Sequence, residues 1–139
     1  MANYLLDTNI CVFFLRGKKS IVHQILDKGI DNCFISEITV AELFYGVECD
    51  EYNFKENRKK VNEFIDILTI IPITEVLLEY AKQKAILRKK GDLIDDMDLF
   101  IGSTAVANDM VLVTDNEKHL SRLSDIKIEN WTLDRSTGL

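Results

Sequence analysis

A chain of 139 residues, 47% apolar and 29% charged, with six glycines and one proline, is neither disordered, collagen-like nor of low complexity. Its length matches one domain of ~100–150 residues, expected to span 1–139 without a linker or internal repeat. With 17 Lys+Arg against 23 Asp+Glu the net charge is −6, which argues against broad, non-specific adhesion to nucleic acid.

Strand-like and helix-like segments alternate from end to end. Tyr4-Leu5-Leu6 is a short apolar run that stops at Asp7, and a helical stretch from Thr8 to Leu15 closes at Arg16-Gly17. Ser20 to Lys28 carries Ile21, Ile25 and Leu26 at helical spacing. Cys33-Phe34-Ile35 is a second strand, after which Ser36 caps a helix to about Val47. A longer helix covers Asn53 to Leu68, with Phe54, Val61, Phe64 and Leu68 on its apolar stripe. Ile70-Ile71-Pro72-Ile73 is a third strand, and its proline points to an edge or a strand end. Thr74 is a cap for a helix from Glu75 to Lys90. A further helix runs from Asp96 to Asn108, then Val111-Leu112-Val113 and Ile126-Lys127-Ile128 complete five strands. This alternation predicts an α/β domain whose mainly parallel sheet is covered on both faces.

Cys11, Cys33 and Cys49 are odd in number and show no CxxC spacing, so neither a disulfide framework nor a zinc site follows; buried free thiols are expected. No apolar run approaches the roughly 20 residues of a membrane helix. Met-Ala-Asn-Tyr-Leu-Leu-Asp also lacks the basic flank and long apolar stretch of a signal peptide, so a cytoplasmic protein with no membrane partner is expected.

In parallel sheets, sites form beyond the carboxyl ends of the strands. Two strands here run straight into acids, Leu5-Leu6-Asp7 and Val113-Thr114-Asp115. Asp7 and Asp115 taken singly are helix caps. Glu42 is harder to dismiss, because its helix neighbours Ile38, Tyr45 and Gly46 are largely apolar, and a lone desolvated carboxylate is costly. Asp98 likewise shares a face with Ile101, Gly102 and Ala105. Four acids brought to one sheet edge suit Mg²⁺ or Mn²⁺, hard ions that prefer oxygen ligands and serve phosphoryl chemistry. His23 and His119 are isolated, and the Arg58-Lys59-Lys60 and Arg88-Lys89-Lys90 runs are solvated helix faces or contacts for a phosphate backbone.

Asp7-Thr8-Asn9 after a strand, Ala41-Glu42-Leu43 on the third helix, Asp98-Leu99-Phe100-Ile101-Gly102 and Val113-Thr114-Asp115-Asn116 resemble, in order, the motifs of the PIN domain. More closely they resemble the VapC group of toxin ribonucleases from type II toxin–antitoxin operons, over Asn3 to about Trp131. The resemblance implies a PIN-like, three-layer α/β/α fold. It implies a Mg²⁺- or Mn²⁺-dependent endoribonuclease that hydrolyses RNA, with Asp7, Glu42, Asp98 and Asp115 as metal-binding and catalytic acids. Thr8, Asn9, Asp96, Thr114 and Asn116 are supporting residues, and Asp115 and Asn116 compete for the fourth site. Gly102 replaces the commoner alanine, an exchange expected to be neutral. The resemblance further implies a homodimer and a VapB-like antitoxin, in a hetero-oligomer, that covers the early helices around Phe13, Phe14 and Phe44. Transfer RNA and ribosomal RNA are the substrate classes it implies. Two rival readings are another metal-dependent nuclease or phosphatase, and a non-catalytic α/β signalling or binding module with a structural ion. Against them, Asp7-Thr8-Asn9 lacks the second acid of an Asp-x-Asp phosphatase motif, and the paired acids and late lysine of a receiver domain are missing.

Overall fold

A computed structural model describes residues 2–133, so Met1 and residues 134–139 of the expected domain lie outside the described residues. Five strands, β1 (Tyr4–Leu6), β2 (Cys33–Ser36), β3 (Thr69–Ile71), β4 (Val111–Val113) and β5 (Lys127–Glu129), form one sheet of order β3-β2-β1-β4-β5. Every neighbouring pair is parallel. Connecting them are α1 (Thr8–Leu15), α2 (Lys19–Lys28), α3 (Glu37–Glu48), α4 (Phe54–Ile67), α5 (Leu77–Lys90), α6 (Asp96–Ala107) and α7 (Glu117–Leu120). Among the described residues no helix is long and apolar enough to cross a membrane.

The strands are short and apolar on both sides, and their period of two divides them between two cores. Tyr4 and Leu6 join a core built with α1, α2, α3 and α4, whereas Leu5 between them joins the core under α5, α6 and α7. The three-layer arrangement follows directly. β1 lies at the centre, flanked by β2 and β4, and the chain runs outward to β3 before crossing back to the other side of β1. The gap between β1 and β4 is therefore the point where strand order reverses, and in open parallel sheets that point is where ligands bind.

Most expected elements stand where the sequence puts them, with local exceptions. β3 begins one residue early, at Thr69, and stops at Ile71, because Pro72 has no N–H to continue the ladder. It is an edge strand, as its proline implied. Thr74 does not cap α5 with its side chain: residues Thr74–Val76 form a 3₁₀ turn and the α-helix starts only at Leu77. Gly91 ends that helix in the left-handed region at φ 71°. Cys11 and Cys33 are buried free thiols, but Cys49 at the end of α3 is exposed, contrary to expectation.

A Cβ at Gly102 would stand 2.6 Å from Cδ2 of Leu123, a buried side chain, so an alanine there requires the end of that side chain to shift.

Candidate active site

Asp7 follows the last residue of β1 and is the N-cap of α1. Its own N–H donates to the Val113 carbonyl at the end of β4, at 2.9 Å, which ties the residue to the switch point. Both carboxylate oxygens are engaged. Oδ1 accepts from the Thr8 N–H at 2.8 Å and Oδ2 from the Thr114 hydroxyl at 2.7 Å. Only 4% of Asp7 is exposed, and this burial raises its pKa. The two hydrogen bonds act the other way, and the charges of Glu42 and Asp115 add to the rise.

Glu42 comes from α3, whose start is fixed by the Ser36 hydroxyl accepting from the Ile38 N–H at 3.0 Å. The Thr8 hydroxyl donates to Glu42 Oε1 at 2.6 Å and lies 3.1 Å from the buried Thr39 hydroxyl. Asp98 is the third residue of α6 and is half-buried. The Asn116 side-chain amide donates to its Oδ2 at 3.4 Å. Burial pushes the Asp98 carboxyl up to about 6, with the charges of Asp7, Asp95 and Glu42 contributing in that order.

Thr114 links the two halves of this group. Its hydroxyl proton goes to Asp7, and its oxygen accepts the Asn116 N–H at 3.0 Å. A continuous path thus joins Asp98, Asn116, Thr114, Asp7, Thr8 and Glu42 across both sides of the switch point. No Lys, Arg or His among the described residues makes an ion pair with Asp7, Glu42, Asp98 or Asp115. Nor do any three His, Cys, Asp or Glu side chains among them close into a compact cage, so the carboxylates form an open edge spaced by hydroxyls and an amide.

The other expected residues separate from this group. Asp115 is exposed and makes no side-chain hydrogen bond among the described residues, although its charge reaches Asp7. Asn116 is the one bonded to Asp98. Asn9 is exposed. Asp95 is the cap of α6, its Oδ2 accepting from the Met97 N–H at 3.1 Å. Asp96 is held toward α5 instead, by Lys84 at 2.9 Å and the Tyr80 hydroxyl at 2.8 Å, and these contacts, Lys84 foremost, lower its pKa. Thr39 was not singled out from the sequence; its place three residues before Glu42 on the same helix was the available signal.

Uncompensated carboxylates that raise one another's proton affinity, with only oxygen and amide donors around them, are the donor set a hard divalent cation fits.

Residues 4–126 match the family model described as PIN domain. The chain is 31% identical over 132 residues to "Ribonuclease VapC2" of Haemophilus influenzae, covering 94% of this chain and 99% of the relative. It is 30% identical over 132 residues to "tRNA(fMet)-specific endonuclease VapC" of Salmonella typhimurium, covering 94% and 99%. Among solved structures, it resembles a chain in the crystal structure of VapBC2 from Rickettsia felis bound to a DNA fragment from their promoter. The TM-score is 0.83 at 34% identity, over 92% of this chain and 98% of that one.

Proposed function

Because the chain belongs to the PIN domain family, in its VapC ribonuclease branch, we propose that it is the toxin of a type II toxin–antitoxin module, an endoribonuclease that hydrolyses RNA phosphodiester bonds. The observation that carries this reading is the hydrogen-bonded group of Asp7, Glu42 and Asp98 at the β1–β4 switch point, with no Lys, Arg or His among the described residues paired to it. The specificity in the Salmonella relative's name supports transfer RNA as the substrate class, with ribosomal RNA as the other candidate.

Asp7 and Asp98 are the residues to hold Mg²⁺ or Mn²⁺, with Asn116 or Asp115 completing the set beside Thr114. When bound, such an ion polarises the scissile phosphate and lowers the proton affinity of the attacking water. Asp7 is a rigid ligand, because Thr8 and Thr114 fix both its oxygens. Glu42 has Oε1 held by Thr8, which leaves Oε2 to orient the water or to meet a second ion. The water oxygen bonds to phosphorus as the bond to the 3′ oxygen breaks. The water's proton leaves through Glu42 Oε2 to solvent, and the departing 3′ oxygen takes one from solvent. The products carry a 5′ phosphate and a 3′ hydroxyl, and no side chain acts as a covalent nucleophile.

The partner is a VapB-like antitoxin, seated on apolar side chains exposed along α3, Phe44 and Tyr45 among them, with a basic residue directed at the carboxylates. A second copy is expected on Leu77 and Leu78, exposed at the start of α5. The test is RNA cleavage by the purified chain. It should stop on addition of EDTA, return with Mg²⁺ or Mn²⁺, and be lost in Asp98→Asn. Full cleavage in EDTA overturns the reading.

A further inference from the structure

Asp98 is the least firmly held of the three acids. Asp7 has both oxygens fixed and Glu42 has one bonded at 2.6 Å. The side chain of Asp98 meets one hydrogen-bond partner among the described residues, the Asn116 amide, at 3.4 Å. Its direction is therefore set by the backbone that carries it, the first turn of α6.

That turn is held from its outer side. Asp96 Oδ1 accepts from Lys84 Nζ at 2.9 Å and from the Tyr80 hydroxyl at 2.8 Å, and Lys84 Nζ also donates to the Tyr80 oxygen at 3.1 Å. The three groups close a triangle between α5 and α6. One turn further along α6, the Tyr80 ring lies on the ring of Phe100, with centroids 3.9 Å apart and planes 6° from parallel. Asp96 and Phe100 are four residues apart and share a face of the helix. At 3.6 residues per turn Asp98 points roughly 160° away from each, to the opposite face.

A lone ion pair as exposed as Lys84 and Asp96 contributes little to stability. Here it is joined to a stack on a second residue of the same face, and two holds one turn apart fix the rotation of α6 as well as its distance. A side-chain end about 5–6 Å from the axis moves by about 1 Å when the helix turns by roughly 10°. A misplacement of that size at a reacting centre costs on the order of a hundredfold in rate.

We propose that Tyr80 and Lys84 are positioning residues of the nuclease site, holding Asp96 and Phe100 on the far side of α6 so that Asp98 faces the switch point. This rests on the ribonuclease reading above and adds to it two residues of α5 that make no hydrogen bond to Asp7, Glu42 or Asp98.

The first measurement needs neither metal nor RNA. In EDTA the side-chain amide NMR signals of Asn116 report the carboxylate they face. Lys84→Met should shift them, and Tyr80→Phe, which keeps the stack and removes the hydroxyl, should shift them less. Lys82→Met, an exposed neighbour on α5, should leave them in place. By calorimetry Lys84→Met should raise the Kd for Mn²⁺ about tenfold, as loss of a residue that orients a ligand does. In cleavage assays well below Tm it should lower kcat about tenfold with KM for RNA unchanged. Lys84→Arg, which keeps a cation on Asp96, should restore both. A purely structural tie would lower Tm but leave the Asn116 signals, the Mn²⁺ affinity and kcat of the folded chain as they are, and that result overturns the proposal. So does a rise in KM with kcat held, which would make Lys84 a contact of the RNA. Where Lys84→Met does not fold, Tyr80→Phe carries the test. Shifted Asn116 signals and weakened Mn²⁺ binding in the variants, beside a wild-type chain that cleaves no RNA, would keep the positioning role and overturn the ribonuclease reading.

Discussion

Burial and three neighbouring charges raise the Asp98 carboxyl to about 6 from an ordinary 3.8, and this fixes its sign in the stability of the metal-free protein. Between those values the folded chain keeps a proton that the unfolded chain has released. Stability therefore falls as pH rises through that window, and the penalty persists above it. Because the group is half-buried, solvent screening reduces the cost to about 1 kcal/mol. Asp98→Asn should raise Tm by roughly 3–5 °C at pH 7 in EDTA and by little at pH 4. A drop in Tm at pH 7 would give Asp98 a structural role. Gly102 sets the opposite trap. Alanine there gains about 1 kcal/mol of helix propensity but overpacks Leu123 at a cost of about 1–3. A net loss near 1 kcal/mol is expected in urea denaturation, and smaller than additive losses when Leu123→Val is combined with it.

α5 is joined to the connection before β5 by one buried side chain. The Gln83 amide donates to the Ser124 carbonyl at 3.0 Å, and the Ser124 N–H donates back to Gln83 Oε1 at 2.9 Å. Gln83→Leu keeps the volume but leaves both backbone groups of Ser124 unpaired, and should cost about 1–3 kcal/mol. The urea midpoint should fall at constant m-value. Faster hydrogen exchange confined to residues 121–129 would show where the tie was lost. At this scale much was legible in the sequence, because strands of three apolar residues ending in an acid carry both their burial and their site. Tyr4-Leu5-Leu6-Asp7 holds one residue for each core and the acid beyond them. What was not legible depends on distant partners. Nothing within Thr114-Asp115-Asn116 says which side chain turns to Asp98, since Asp98 approaches from another helix. Nothing near Gly102 announces Leu123, and the partners that draw Asp96 away lie on α5.

For the whole molecule, an acidic protein must hold a polyanion by local contacts. The last turn of α5 carries Arg88, Lys89 and Lys90, all exposed, and leads through Gly91 and the segment before α6 to Asp98. The three cations suit the negative end of the helix, so their removal together costs little fold stability at the surface. If they also line the path of RNA, the combined Arg88→Ala, Lys89→Ala and Lys90→Ala variant should raise Kd. It should also flatten the log–log salt slope by roughly 0.7 for each phosphate lost. An unchanged slope would move the contacts to Lys18, Lys19 and Arg58.

The central place of β1 has a consequence in time. Asp7 leaves the ribosome well ahead of the hydroxyl that fixes it, which belongs to a residue 107 positions later. At synthesis rates of about 5–20 residues per second, roughly 5–20 s separate the two. Through that interval β1 has no β4 beside it, and Asp98 has not emerged until most of it has passed. A growing chain therefore carries the first acid of the site long before it can carry the site, and the ribosome making it works beside an incomplete enzyme.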